Sequence, residues 1–310
     1  MIKNILLLGA SGFVGTNFLK DPRNNNYKIF SPNRQKLDLK KIDDLYGYLD
    51  KNRPDLIINA AGKVGGILSN SNNNYDYLNE NILINYNVIN VSKELKIPNF
   101  INLSSSCIYP VNFTVPFSED NILSAKLEPT NEGYALSKIY ALKSCEFISK
   151  GSKLNYKSII PCNLYGPHDD FNSETSHMIP GAIVKIHNSK KANNDSVTIW
   201  GTGKVRREFM FIKDFIDFLY FSIERFDKIP NILNVGLGFD HTIKEYYETI
   251  MNVIKYEGEL VYDSLKPDGI KSKLMNISKL EKLNWKAKTN LSKGIELTYK
   301  YYINNYANQL

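Results

Sequence analysis

The segment Gly9-Ala10-Ser11-Gly12-Phe13-Val14-Gly15 lies between an apolar run, Lys3 to Leu8, and an amphipathic stretch that ends near Lys20. Glycines with G-x-x-G-x-x-G spacing between a strand and a helix let the backbone approach a pyrophosphate. The amides and the positive dipole end of the helix then bind it. A glycine motif of this kind is a more specific sign of dinucleotide binding when a strand precedes it and a helix follows it. The sequence therefore predicts a dinucleotide-binding turn, with a plain tight turn as the alternative.

The segment after the second predicted strand, Tyr27 to Phe30, reads Ser31-Pro32-Asn33-Arg34. An NAD site usually carries an acidic residue here, where it binds the adenosine ribose. This chain has no carboxylate in the segment, and Arg34 is able to bind a 2′-phosphate. The sequence therefore favours NADPH over NADH, although Arg34 could also be a solvated loop residue. We interpret Asp38, slightly further on, as a contact to the adenine.

Three later apolar runs, Leu56–Asn59, Phe100–Leu103 and Ser158–Pro161, are typical of buried parallel strands. Ligands of open parallel sheets bind beyond the carboxyl ends of the strands. Residues at or just after these ends are therefore predicted to line the cofactor or the reacting carbonyl. They are Ala60, Ala61, Ser105, Pro161, Asn163 and Leu164.

The alternation of strands and helices predicts an α/β fold, a Rossmann-type doubly wound parallel sheet with a smaller C-terminal α/β substrate-binding domain. The alternation weakens after about residue 165. We expect residues 1–165, joined by about 210–237, to bind the nucleotide, and residues 166–209 and 238–310 to bind the substrate. Predicted helices include Tyr77–Leu95, Pro180–His187, Ile212–Ile223, Thr242–Ile254, Ile277–Leu283 and Leu291–Tyr302.

Tyr134 and Lys138, in Glu132-Gly133-Tyr134-Ala135-Leu136-Ser137-Lys138, are spaced to share one face of a helix. An ammonium about 5 Å from a phenol, at an effective dielectric near 20, favours the phenolate by roughly 3 kcal/mol. That corresponds to about two pKa units. We therefore expect Lys138 to lower the pKa of Tyr134, and Tyr134 to exchange a proton with a carbonyl oxygen that Ser105 also binds. Chance spacing of two common residues is the alternative.

The composition narrows the class of protein. The chain has 310 residues, a net charge of +7 and three cysteines without metal-ligand or disulfide spacing. The basic residues are scattered, and no apolar stretch is long enough to span a bilayer. We expect a cytoplasmic enzyme without a metal site, with no nucleic-acid partner and no membrane partner.

Several segments in order along the chain resemble the GDP-L-fucose synthase family of extended short-chain dehydrogenase/reductases. They are Ser105 to Pro110, Leu127 to Glu132, Asn163 to Asp169, His177 to Pro180, Trp200 to Gly203, Arg207 to Phe209 and Lys266 to Gly269. The resemblance implies that NADPH reduces the C4 ketone of a GDP-4-keto-6-deoxy sugar, after epimerisation at C3 and C5. It also implies a homodimer, packed through the Tyr134 helix and the helix before it.

The resemblance assigns roles residue by residue. Tyr134 corresponds to the proton donor, Lys138 to its partner and Ser105 to the carbonyl-binding serine. Cys107 and His177 correspond to the two acid-base positions of epimerisation. Cofactor contacts include Lys138, Pro161, Asn163, Leu164 and His177. Substrate contacts include Asn163, Lys185, Trp200, Arg207, Lys266 and Asp268.

The chain departs from the family pattern at five positions. Ser11 stands where a basic residue is common, and Gly62 where alanine is usual. Lys185 replaces an arginine, which is a different kind of phosphate donor. Ser272 and Asn276 replace a basic and an acidic residue. The sugar pocket is therefore expected to differ from that of the family.

Other functions stay open. One is a 4-ketoreductase without epimerase activity, acting on a GDP-6-deoxy-4-keto-heptose in capsule or surface polysaccharide biosynthesis. Another is a nucleotide-sugar 4-epimerase, or a 4,6-dehydratase. A dehydratase would need a carboxylate pair just after the serine strand, where the sequence has none. A non-catalytic Rossmann protein would not need Ser105, Tyr134 and Lys138 together.

Overall fold

The structure is a computed structural model that describes residues 2–111, 113–172, 175–265 and 270–307, apart from the side chains of residues 67 and 68. The strands are β1 (Asn4–Leu8), β2 (Lys28–Phe30), β3 (Leu56–Asn59), β4 (Asn99–Leu103), β5 (Asn155–Pro161), β6 (Asn163–Tyr165), β7 (Ser196–Trp200), β8 (Arg206–Arg207), β9 (Phe209–Phe211), β10 (Ile232–Val235), β11 (His241–Thr242), β12 (Glu259–Asp263) and β13 (Ser272–Lys273). The helices are α1 (Phe13–Lys20), α2 (Ile42–Asn52), α3 (Ile67–Asn72), α4 (Asn74–Glu94), α5 (Glu132–Gly151), α6 (Met178–Lys191), α7 (Ile212–Glu224), α8 (Ile243–Ile254), α9 (Ser278–Glu281) and α10 (Leu291–Asn305).

The central sheet has six strands in the order β2-β1-β3-β4-β5-β10, and every adjacent pair is parallel. Helices cover both faces of this sheet, so β1, β3, β4, β5 and β10 show continuous burial rather than an alternation of buried and exposed residues. Successive side chains of β1 point to opposite faces: Ile5 and Leu7 enter one core cluster, and Leu6 enters the other. The predicted Rossmann-type parallel sheet is confirmed.

Shorter strands form small sheets beside the central one. β8 pairs with β11 and β13, β7 pairs with β12, and β6 pairs with β9. The division of the chain into nucleotide and substrate domains stays a prediction. Of the helices in the part of the chain that the structure describes, none is long and apolar enough to cross a membrane.

Most predicted elements are present with small shifts of their ends. The sequence analysis missed several others, among them α2, α3 and β12. In α2, Gly47 interrupts the helical pattern. The predicted helix Ile277–Leu283 is shorter than expected, since α9 covers only Ser278–Glu281. Asn284, just beyond it, has a left-handed φ of 57°.

The long connection from β4 to α5 is anchored on β10 by a buried asparagine. The Asn234 side chain accepts a hydrogen bond from the Tyr109 hydroxyl at 2.6 Å and donates to the Phe117 carbonyl at 3.0 Å. Its backbone amide donates to Glu119 at 3.0 Å. Because buried polar groups need partners, this network fixes the path of the connection.

Helix α1 packs closely against the glycine turn that precedes it, and this packing can be tested at Gly15. A methyl group on Gly15 would lie 2.3 Å from the Gly9 carbonyl oxygen and 2.7 Å from the Ala10 Cα, and neither backbone atom can rotate away. Gly15→Ala should therefore lower the free energy of unfolding by about 1–3 kcal/mol. Urea denaturation measures this change.

Gly47 provides the matched control. It lies in exposed α2, and a methyl group there would meet nothing within 4 Å. Gly47→Ala should raise the free energy of unfolding by about 0.5–1 kcal/mol, because alanine loses less backbone entropy in a helix. Equal effects of the two substitutions would contradict the close approach at Gly15.

Candidate active site

The glycine turn forms a bare backbone cradle between β1 and α1. Gly9 has a φ of 79°, and a methyl group on it would lie 2.6 Å from the Ala60 carbonyl carbon at the end of β3. Gly12 precedes α1, and no side chain caps the helix amides there. Such a helix start presents amide donors and a positive dipole end to an anion. The turn therefore fits a dinucleotide pyrophosphate.

Basic side chains gather beside the predicted ribose position. Arg34 is exposed in the turn after β2. Lys63 donates to Glu80 of α4 at 2.7 Å and holds the pKa of that carboxyl below its usual range, with smaller contributions from Lys40 and Arg34. Asp38 accepts a hydrogen bond from the Lys40 amide at 3.1 Å, which occupies one oxygen of its carboxylate. The carboxylate of Glu80 is thus affected by three basic side chains, those of Lys63, Lys40 and Arg34.

Tyr134 and Lys138 lie on α5, as predicted, and Ser105 follows β4. The Lys138 ammonium is buried and donates to the Leu103 carbonyl at 2.9 Å. Its nitrogen is 5.7 Å from the centroid of the Tyr134 ring. Ser105 lies near enough to Tyr134 to affect its pKa. Strand β4 and helix α5 thus bring these three polar groups together at the carboxyl edge of the sheet.

The predicted effect of Lys138 on the Tyr134 pKa is wrong for this structure. Burial raises the pKa of Tyr134, the charge of Cys107 adds to the rise, and the nearby Ser105 hydroxyl offsets only part of it. Burial also lowers the pKa of Lys138 to about 8. The expectation counted only the attraction between the two groups at an effective dielectric near 20. Lys138 is buried and Tyr134 is half-buried, and the loss of water disfavours the charged form of each group.

Cys107 lies in a short 3-10 turn, Ser106–Ile108, directly after Ser105. Its backbone amide donates to the Ser105 hydroxyl oxygen at 3.3 Å. Its sulfur accepts a hydrogen bond from the side-chain amide of Asn131 at 3.4 Å. Cys107 therefore lies beside the carbonyl-binding serine, where a proton-transfer residue of the same site would be expected.

His177 approaches the region from another element, since it is the residue before α6. Its side chain is 53% exposed, and its Nδ1 lies 3.8 Å from the buried carboxylate of Asp169. The nearby Asp169 carboxylate favours the charged imidazole and raises the pKa of His177, while burial opposes the rise. Among the described residues, no hydrogen bond or ion pair joins His177 to Ser105, Cys107 or Tyr134.

The predicted substrate contacts lie on several elements around α6 and β8. The Lys185 ammonium donates to the Thr198 carbonyl at 2.9 Å and lies 5.9 Å from the Trp200 ring centroid. Asn163 donates to the Glu208 carbonyl at 3.0 Å. Lys185 also lines a groove of about 410 Å³ along α6, which none of the catalytic candidates lines.

Arg207, on β8, is held by hydrogen bonds to backbone carbonyls. Its guanidinium donates to the carbonyl oxygens of Arg206 at 2.7 Å and Ile270 at 2.6 Å. Burial lowers the pKa of Arg207, and the charge of Glu128, which lies just before α5, opposes that shift. The predicted contacts Lys266 and Asp268 lie outside the described residues.

Sequence reasoning assigned no role to two residues at the site, Asn131 and Asp169. Both fall inside segments that resemble the family. A linear pattern, however, does not distinguish a residue that contacts a sulfur or an imidazole from a polar residue that faces solvent. Among residues 2–111, 113–172, 175–265 and 270–307, no group of three or more His, Cys, Asp and Glu side chains could hold a metal ion.

A parallel nucleotide-binding sheet with Ser105, Tyr134 and Lys138 at its carboxyl edge defines an extended short-chain dehydrogenase/reductase. The chain belongs to the NAD dependent epimerase/dehydratase family, whose sequence model matches residues 5–236. Members of this family are epimerases and dehydratases, which are enzymes. The relatives that the chain matches confirm the prediction of a nucleotide-sugar enzyme.

Those relatives match the chain over almost its whole length. GDP-L-colitose synthase of Yersinia pseudotuberculosis is 43% identical over 97% of this chain and 98% of its own. GDP-L-fucose synthase of Azorhizobium caulinodans is 41% identical over 97% and 96%. A solved GDP-mannoheptose C4 reductase from Campylobacter jejuni, with NADP bound, superposes with a TM-score of 0.89, at 26% identity and with 97% and 98% covered. The resemblance to GDP-L-fucose synthase is confirmed.

The contact between Asp169 and His177 predicts a pH effect. Because Asp169 favours the charged imidazole, Asp169→Asn should move the titration midpoint of His177 down, towards its ordinary value near 6.5. A raised pKa contributes stability at low pH that is lost as the pH rises through it. The variant should therefore lose more stability, relative to the native protein, at pH 6 than at pH 9. NMR titration of the imidazole resonances measures the midpoints.

His187, on α6, serves as the internal control for this titration. Its pKa is lowered by burial and by the neighbouring Lys191 and Lys190, and Asp169 does not contribute to that shift. The Asp169 substitution should therefore leave the titration midpoint of His187 unchanged. An unchanged His177 midpoint in Asp169→Asn would show that the carboxylate does not act on the imidazole.

Proposed function

We propose that this protein uses NADPH to reduce the C4 ketone of a GDP-4-keto-6-deoxy sugar, and that the same site epimerises C3 and C5. The observation that carries the proposal is the cluster of Ser105, Tyr134 and the buried Lys138, with Cys107 beside it. The names of the relatives, which are GDP-sugar synthases and a GDP-sugar reductase, support the substrate class.

The electrostatics of Tyr134 fit the reductive direction. When bound, NADPH supplies a hydride to the carbonyl carbon. The carbonyl oxygen then becomes a stronger base than a phenolate, and it lies within reach of Ser105 and Tyr134. Because burial raises the pKa of Tyr134, the phenol keeps its proton until that base forms beside it. Tyr134 is then the general acid, and Ser105 orients the oxygen.

Epimerisation needs one group that removes a proton from carbon and one that returns it on the opposite face. A ketone at C4 acidifies the hydrogens at C3 and C5. Cys107 lies next to the carbonyl-binding Ser105, and His177 approaches from the start of α6. Asp169 keeps His177 readily protonated, which suits the acid of the pair. We propose Cys107 as the base and His177 as the acid.

The second candidate is a 4-reductase without epimerase activity that acts on a heptose. The solved heptose reductase supports it, as does Ser272, which stands where the family has a basic residue. Its hydroxyl donates to Asp240 at 2.9 Å, and the other oxygen of Asp240 accepts from Arg206 at 2.7 Å. A position that carries a basic residue in the family is thus part of an internal hydrogen-bond network here.

The remaining assignments complete the proposal. We propose that residues 166–209 and 238–310 bind the GDP-sugar, and that Lys185, Trp200 and Arg207 contact it. We also propose a homodimer through α4 and α5. Both helices expose large apolar side chains, and an apolar face of this kind is typical of a subunit interface. These exposed residues are Tyr75, Leu83, Tyr86, Leu136 and Phe147.

The cofactor preference is tested at Arg34. Arg34→Ala should weaken NADPH binding at least about tenfold, the loss expected when a charge-assisted hydrogen bond to phosphate is removed. NADH binding should change little, since NADH lacks the 2′-phosphate. Fluorescence titration of each cofactor measures the two affinities. Arg53, exposed at the end of α2, provides a control position for the loss of a surface arginine. Equal losses for both cofactors would contradict the assignment.

The reaction is tested by turnover of a panel of GDP-4-keto hexoses and heptoses with NADPH in D₂O, followed by NMR of the products. A bifunctional enzyme should deliver product with solvent deuterium at C3 and C5. Tyr134→Phe, which removes only a hydroxyl, should lower turnover by roughly 10² or more. Cys107→Ser should abolish the label while a pre-epimerised substrate is still reduced.

The other outcomes select the rival functions. Reduced product without solvent label on its best substrate would identify a 4-reductase alone. Interconversion of C4 epimers without net consumption of NADPH would identify a 4-epimerase. Turnover close to native in Tyr134→Phe would exclude Tyr134 as the proton donor.

A further inference from the structure

The start of α5 is capped in an unusual way. Asn131 occupies the N-cap position, where asparagine commonly accepts a hydrogen bond from a helix amide, but its side chain caps no amide here. The Gly133 amide instead donates to the side-chain oxygen of Asn74 at 2.9 Å. The side-chain nitrogen of Asn74 also donates to the Pro129 carbonyl at 3.1 Å. The cap of α5 thus comes from the first residue of α4.

Glycine at position 133 makes this exchange possible. A methyl group on Gly133 would lie 2.1 Å from the backbone carbonyl oxygen of Asn74. Any larger residue would therefore push the start of α4 away from α5. Because the two helices approach so closely, the side chain of Asn74 reaches an amide that Asn131 would otherwise satisfy.

The freed side chain of Asn131 is directed to the sulfur of Cys107. Its nitrogen donates to the Cys107 sulfur at 3.4 Å, within the range of a hydrogen bond to sulfur. Its oxygen is shielded from solvent and has no hydrogen-bond partner among the described residues. The side chain is therefore placed by its contact with Cys107, and not by a structural role at the helix end.

We propose that Asn131 is a positioning residue for Cys107, whose side-chain amide holds the sulfur in place and favours its thiolate form. A donor aimed at an ionisable atom stabilises the form that carries the negative charge. The thiolate is the form of cysteine that removes a proton from carbon, as it is the form that acts as a nucleophile. The proposal rests on the proposed catalytic use of Cys107.

Other titratable groups face the same sulfur. Lys138 and Tyr134, both on α5, are close enough for their charges to interact with that of Cys107. The Lys138 ammonium donates one hydrogen bond to the Leu103 carbonyl, and within the part of the chain that the structure describes no hydrogen bond joins it to the sulfur. Asn131 is the residue whose hydrogen bond reaches the sulfur, so its removal is the direct test.

The test is the rate at which iodoacetamide alkylates Cys107 in the full chain without substrate, measured by mass spectrometry between pH 5.5 and 9.5. Asn131→Asp keeps the shape of the side chain but replaces the donor with a negative charge. Its alkylation rate at pH 7 should fall about tenfold, and its pH profile should move up by about one pH unit. Asn131→Ala should give a smaller change in the same direction.

Buried cysteines and a second helix cap supply the controls. Cys145 and Cys162 are buried, so their labelling reports unfolding of a variant. Asn290 caps α10 in the ordinary way, since its side chain accepts from the Lys293 amide at 2.9 Å. Asn290→Ala should lower the midpoint of thermal unfolding and leave Cys107 alkylation unchanged. Asn131→Ala should lower the alkylation rate of Cys107 and leave the midpoint of thermal unfolding unchanged.

Native alkylation rates in Asn131→Asp at every pH would overturn the proposal. If labelling of Cys145 or Cys162 shows that the aspartate variant has opened, Asn131→Ala decides, and a native rate in that variant would also overturn it. The deuterium experiment on the native enzyme tests the function separately. A shifted alkylation profile without solvent label in the product would leave the role of Asn131 intact and remove the epimerase function.

Discussion

One buried ammonium joins the catalytic helix to the central sheet. Lys138 donates to the carbonyl of Leu103, the last residue of β4, and the side chain is almost fully removed from solvent. A charge buried without a partner is strongly unfavourable, so this bond fixes α5 against the end of β4. Ser105 follows that strand and Tyr134 lies one helical turn before Lys138. The relative placement of all three polar groups therefore follows from this single contact.

Burial decides what the three groups can do. In water, an ammonium near a phenol would favour the phenolate, but in this site both charged forms lose hydration. The phenol of Tyr134 therefore holds its proton more firmly than free tyrosine does, and the pKa of Lys138 falls to about 8. A site with these properties donates a proton to a strong base and does not release one spontaneously. This is the behaviour that reduction of a ketone requires.

Close packing between α4 and α5 extends the same constraint to the rest of the site. Gly133 lets the two helices approach until the side chain of Asn74 caps α5. The loop before α5 is then held by α4 as well as by its own helix, and the buried network around Asn234 holds the connection at β10. Ser105 and Cys107 lie on a segment that is fixed at both ends, which suits groups that must align with one substrate atom.

Sequence patterns alone were enough to predict the glycine turn, the apolar strands of the parallel sheet and the shared helix of Tyr134 and Lys138. These features depend on local spacing and periodicity, which a linear chain displays directly. The patterns did not reveal α2, whose pattern Gly47 interrupts, or the direction of the Tyr134 pKa. That direction depends on the folded structure, as do the pairing of Asp169 with His177 and the cap of α5, in which Asn74 accepts a hydrogen bond across 59 positions of sequence. Each of these depends on which distant atoms exclude water or supply a partner, and the fold alone brings those atoms together.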